Sequence, residues 1–122
     1  MPTVHHQVNY IEFAAGNLEK TRSFFEAVFN MNFTQWGDDY MDTVSGGVGM
    51  GFFRAPLAST QNTGGALIGF YSDDLEGSLD SVTANGGTIS KEIFSFPGGR
   101  RFHFQEPSGN EFSVWSADSA KR

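Results

Sequence analysis

The chain contains no cysteine, which excludes disulfides, a thiolate nucleophile and thiolate-bound metal. Basic charge is scarce as well, with 8 Lys and Arg against 14 Asp and Glu and a formal net charge of -6. That deficit argues against a nucleic-acid partner, because phosphate recognition rests on clustered Lys and Arg; neutral or cationic small molecules are easier company. Long apolar runs are missing too. No stretch approaches the length of a membrane span, and the opening Met1-Pro2-Thr3-Val4-His5-His6 lacks the basic-then-apolar pattern of a leader, so no membrane partner and cytoplasmic residence are expected. Phosphate loop, nucleophile elbow and HExxH zinc helix are all absent. Gly46-Gly47-Val48-Gly49-Met50-Gly51 has the wrong glycine spacing for a dinucleotide loop and no helix after it, and reads as a closely packed hairpin.

What the chain does have is aromatic rings: 13 Phe among 122 residues, within 39% hydrophobic and 18% charged. This is the composition of one globular domain, residues 1–122, able to bury roughly two-thirds of the surface of its unfolded chain without a staple.

The sequence also repeats itself. Asn17-Leu18-Glu19 follows the apolar run from Tyr10 to Phe13, and Asp74-Leu75-Glu76 follows the run from Leu67 to Tyr71. Leu75 minus Leu18 is 57 positions, and Leu67 minus Tyr10 is again 57. Two copies of one supersecondary unit are expected, with a cavity where they meet. In the first copy, alternation predicts a strand over 6–13, with Tyr10 and Glu12 on one face and Ile11 and Phe13 on the other. Leu18, Phe25 and Phe29 then fall at helical spacing behind the N-cap Asn17, to a helix end near Asn30. Strands over 32–36, 40–45 and 48–54 follow as a meander. After an aperiodic linker at 56–64 come a strand over 66–71, a helix carrying Leu75, Leu79 and Val82 behind Asp73 or Asp74, and its stop at Asn85-Gly86-Gly87. Strands over 88–94, 101–105 and 111–116 complete the copy, and 117–122 reads as a loose tail. The first module spans about 5–55 and the second about 65–117.

This order, with Gly16-Asn17-Leu18, Asp73-Asp74-Leu75, Ala84-Asn85-Gly86-Gly87 and Phe104-Gln105-Glu106-Pro107-Ser108-Gly109-Asn110, resembles the vicinal oxygen chelate superfamily of glyoxalases, bleomycin-resistance proteins and extradiol dioxygenases. The resemblance covers roughly residues 8–115. It implies an α+β fold: two β-α-β-β-β modules forming a curved, eight-stranded mixed sheet around a cavity, with the helices outside. Because short members of that family pair their modules between chains, it also implies a homodimer.

Metal-dependent members resemble one another in placing His or Glu at four matched positions, two on the first strands and two on the last. Here the first-strand positions hold Tyr10 and Leu67, one last-strand position holds Ser113, and the matching run Gly47 to Phe53 has no His, Asp or Glu. No metal and no cofactor are therefore expected. Glu12, His103 and Glu111 are the alternative carboxylate and imidazole groups, with ordinary strand-end or solvated roles open to each carboxylate. Of these, His103 and Glu12 are the candidate proton carriers, since imidazole exchanges a proton near neutrality and the resemblance turns the His103 position toward the cavity. Tyr10, Arg101, Ser113 and Trp115 are the candidate ligand contacts; Arg100 or Arg101 offers a guanidinium fork for a carboxylate or for vicinal oxygens, and Tyr10 and Trp115 offer flat rings. His5 and His6 read as solvated. The expectation is a metal-independent protein that binds a small organic molecule, with a lyase or isomerase acting on a small oxygenated metabolite as the alternative and an extradiol dioxygenase as the third reading.

Overall fold

The computed structural model of the chain describes residues 3–44 and 47–118. Along them run β1 (Tyr10–Ala15), α1 (Leu18–Phe29), β2 (Thr34–Gln35), β3 (Tyr40–Thr43), β4 (Gly49–Arg54), a single 3-10 turn (Gln61–Thr63), β5 (Ile68–Tyr71), α2 (Leu75–Ala84), β6 (Thr88–Phe96), β7 (Gly99–Gln105) and β8 (Glu111–Ala117). Each helix starts where a side chain satisfies a backbone N–H left over by the first turn. The Asn17 side chain accepts from the Lys20 N–H at 3.0 Å, and Asp74 accepts from Gly77 at 3.1 Å. α1 ends where Asn30 turns left-handed at φ 55, and the chain leaves α2 through Gly86 at φ 94.

The strands form two open, mixed four-stranded sheets in the orders β1-β4-β3-β2 and β5-β8-β7-β6. In each, the first and last strands of the module are parallel neighbours. Glu12 pairs with Gly51 and Gly69 pairs with Ser113; Glu12 and Gly69 are again 57 apart, so the repeat is one of register as well as order. The eight strands are shared out four and four. At the junction, Ile11 and Phe13 of β1 and Ile68 of β5 line a common cleft in place of a hydrogen-bonded ladder.

Several boundaries differ from the sequence reading, and in each case the partner strand decides. β1 begins at Tyr10 rather than at 6, because its parallel partner β4 begins at Gly49. β2 is cut to two residues by pairing only Thr34 with Asp42 and Gln35 with Met41. Ala117 is not loose: it closes β8 opposite Gly99, while 119–122, like Ser45 at the expected end of β3, lie outside the described residues. The linker is tied to the second module, with Ser59 N–H donating to Asn110 at 2.8 Å and Gln61 N–H to the Glu111 carboxylate at 2.9 Å.

Both helices feed one core, α1 through Leu18, Phe24 and Phe25 and α2 through Leu75 and Val82. Phe24 and Phe25 of α1 reach the second sheet, their ring centroids 5.6 Å from Phe104 and 5.4 Å from Phe112, while Phe25 also lies 5.6 Å from Phe52 of the first. Offset and edge-on contacts of this kind add to the burial of the rings themselves. Strand alternation turns the other faces away from this core, Tyr10 and Glu12 on β1 and Glu111, the buried Ser113 and Trp115 on β8. Among the described residues no helix is long and apolar enough to cross a membrane.

Candidate functional site

The open face of the second sheet is where chemistry gathers. β6 meets β7 with register shifts between Ile89 and Lys91 and between Lys91 and Phe94, an irregularity that bends the strand and re-aims its side chains. Phe94 is thereby brought to 5.8 Å from the His103 ring, and the Arg101 guanidinium lies over Phe94 at 5.1 Å and Phe96 at 5.5 Å. Beside Arg101, a cavity of about 280 Å³ is lined by Leu67, Gly69, Phe96, Arg101, Ser113 and Trp115. A methyl group on Gly69 would stand 3.1 Å from the Ser113 hydroxyl, so glycine keeps the floor open there. A larger cleft of about 550 Å³ runs between the modules past Ile11, Phe29, Met31, Met50, Ile68 and Phe70 without a charged side chain to do chemistry.

His103 is only 2% exposed, between the core residues Phe102 and Phe104 in sequence but on the opposite face, paired with Ser113 across the ladder. Its Nδ1 is 3.5 Å from Glu111 Oε2, and its Nε2 is buried with no hydrogen-bond partner. Burial first, and then the neighbouring charges of Arg101 and Lys91, push its pKa below the ordinary value against the opposing pull of Glu111. The neutral imidazole is thereby favoured over the charged form. Burial alone would raise Glu111, but the Gln61 N–H, the Ser90 hydroxyl and His103 together hold it below the usual carboxylate value. The two arginines separate cleanly. Both keep a buried Nε without a partner, but Arg100 grips Glu76 of α2 at 2.6 and 3.2 Å, while Arg101 meets no carboxylate among the described residues.

Tyr10 and Glu12 sit elsewhere, on the open face of the first sheet. There the Tyr10 and Tyr40 hydroxyls hydrogen-bond to each other above Gly51, Tyr10 donates to Asp42 at 3.4 Å, and Trp36 Nε1 donates to the same carboxylate at 3.0 Å. Desolvation raises the Tyr40 pKa, with the bonds to Tyr10 and Glu12 acting in the same direction. Arg101, His103, Ser113 and Trp115 are thus brought together, and Tyr10 and Glu12 form a separate cluster. Sequence reading gave no role to Asp42, Phe94 or Phe96. The i, i+2 spacing from Tyr40 would have placed Asp42 on that face, whereas the bulge that delivers Phe94 and Phe96 leaves no pattern in sequence.

The four positions at which family resemblance would put metal ligands hold Tyr10, Leu67, Ser113 and, by the matched pairings with Glu12 and Gly69, Gly51. None offers an imidazole or carboxylate, and no three His, Asp or Glu side chains converge among the described residues. This donor set does not fit a divalent ion.

With the duplicated fold and this donor set in place, the class is defined: residues 7–114 match the Glyoxalase/Bleomycin resistance protein/Dioxygenase superfamily, and the chain belongs to it. Similar solved structures include a glyoxalase-related enzyme from Fulvimarina pelagi, at 14% identity and TM-score 0.76, covering 91% of this chain and 88% of that one. The fosfomycin resistance protein FosX from Listeria monocytogenes is 16% identical with TM-score 0.76, covering 95% and 97%. Lactoylglutathione lyase from Agrobacterium tumefaciens is 16% identical with TM-score 0.69, covering 95% and 98%. At such identities the likeness is one of fold. No curated protein matches the chain.

Proposed function

We propose that this chain binds a small organic molecule on the open face of its second sheet, without a divalent ion of its own, and that it works as a homodimer. The observation that carries the reading is the cavity in which Arg101 has no acid partner, bordered by the buried Ser113 and by the rings of Trp115 and Phe96. Open sheet faces and edges on both modules favour pairing with a second copy. A second reading, a lyase or isomerase, draws on the His103–Glu111 pair. An imidazole with a carboxylate 3.5 Å from Nδ1 and an unpartnered Nε2, paired across the ladder with the cavity residue Ser113, is the group that would carry a proton in such a reaction.

Native mass spectrometry of freshly purified protein reads these claims together. The expected species has twice the 13.4 kDa chain mass, carries organic ligand in a fraction of molecules and keeps that ligand after dialysis against chelator. A stoichiometric divalent ion whose removal abolishes ligand retention would overturn the metal-free claim, and a 13.4 kDa species at all concentrations would overturn the dimer.

A further inference from the structure

We propose that the cavity beside Arg101 takes a small, flat organic carboxylate, with the guanidinium as its counter-ion and the rings of Trp115 and Phe96 as its walls. This names the ligand class for the site argued above and rests on that reading. Acids outnumber bases 14 to 8 in the chain, and the other described arginines are matched to them: Arg22 with Glu26, Arg54 with Glu19 and Asp39, Arg100 with Glu76. Arg101 alone among the described arginines has none, although it is the one set against a cavity. Glu111, the nearby acid on β8, is already occupied by Gln61, Ser90 and His103.

Arg101 is also held in position. The guanidinium carbon lies 5.1 Å from the Phe94 centroid and 5.5 Å from that of Phe96, contacts that hold it beside the cavity while its buried Nε keeps no partner. The other side-chain donors among the lining residues are the Ser113 hydroxyl, 4% exposed as a residue, and the Trp115 indole N–H. A guanidinium fork matches the two oxygens of a carboxylate with two parallel hydrogen bonds. The volume of about 280 Å³ falls just under the usual roughly 300–1,000 Å³ of ligand pockets, which restricts the occupant to about one ring or its aliphatic equivalent. Leu67, Phe96 and Trp115 supply apolar surface for it.

The test is ligand-observed and backbone-amide NMR titration of the full chain with benzoate, its neutral isostere benzamide, the cation benzylamine, and inorganic phosphate. Benzoate is expected to shift amides around Arg101, Ser113 and Trp115 and to bind about tenfold or more tighter than benzamide. Arg101→Met should lose that preference, Arg101→Lys should keep part of it, and Arg100→Met should keep all of it. Equal binding of benzoate and benzamide, or phosphate competing as well as benzoate, overturns the carboxylate assignment and leaves the binding reading standing. Absence of any shift at these amides with all four probes overturns both. If Arg101→Met fails to fold, the comparison of benzoate with benzamide on the unaltered chain decides alone.

Discussion

The Thr21 hydroxyl on α1 donates to the buried Glu106 carboxylate at 2.6 Å, a bond that spans 85 positions and ties the two modules together. Glu106 is 2% exposed, and no Lys, Arg or His pairs with it among the described residues. It is satisfied instead by hydrogen bonds: from Thr21 and the Ser108 N–H on one oxygen, and from the Asn110 N–H and side-chain amide on the other. Asn110 extends the network by donating to the Ala14 carbonyl at 2.8 Å. A buried carboxylate survives folding only when its lone pairs are met in this way. The run from Glu106 to Asn110 before the last strand is therefore a clamp between β1, α1, the linker and β8.

Thr21→Val keeps the shape of the side chain and removes one donor from this carboxylate. Urea unfolding should show a loss of about 1–3 kcal/mol, because a buried acceptor is left short of a partner. Unchanged stability would show that the remaining three donors suffice without Thr21.

Histidine 103 makes the stability of the fold depend on pH with a defined sign. Its pKa is lowered in the folded protein, so between that lowered value and about 6.5 the unfolded chain binds more protons than the folded one. The contribution is fully present above about pH 6.5 and is lost as pH falls toward the folded value. Glu111, lowered from the carboxylate range, gives up its own contribution only at more acid pH. Urea midpoints from pH 7.5 to 5 should decline for the natural chain, and the decline should be shallower in His103→Gln. Parallel curves for the two proteins would count against a buried neutral imidazole.

Two glycines that both lack room for a methyl group should respond differently to gaining one. A Cβ on Gly99 would run into the Ser116 carbonyl, which belongs to the neighbouring strand and cannot move aside without breaking the ladder. On Gly51 the obstruction is the tips of Tyr10 and Tyr40, which swing away. Gly99→Ala should cost about 1–3 kcal/mol in urea unfolding. Gly51→Ala should cost less and instead shift the ultraviolet titration of the tyrosines as their hydroxyl pair is parted. Equal losses of stability would mean that the tyrosine pair is as rigid as the backbone.

The repeat was legible in the chain because its evidence is local. An N-cap residue, a leucine and an acid recur at one interval, and caps and strand alternation act over a few residues whatever surrounds them. The same alternation places Phe102 and Phe104 on one face of β7 and His103 on the other, while the want of imidazole and carboxylate at the ligand positions was legible only through the family resemblance. Which side chains meet was decided only by tertiary packing. Arg100 and Arg101 are adjacent and chemically identical, yet one is matched to Glu76 on α2 and the other to a cavity, because neighbours on a strand point to opposite faces and only the fold decides what each face meets. Tyr10 and Glu12 share parity with Ser113 but belong to a different sheet, so the expected single cluster became two. The burial of Glu106 was equally invisible, since its donors are gathered from α1 and from the turn before β8, and no local pattern encodes a meeting across 85 positions.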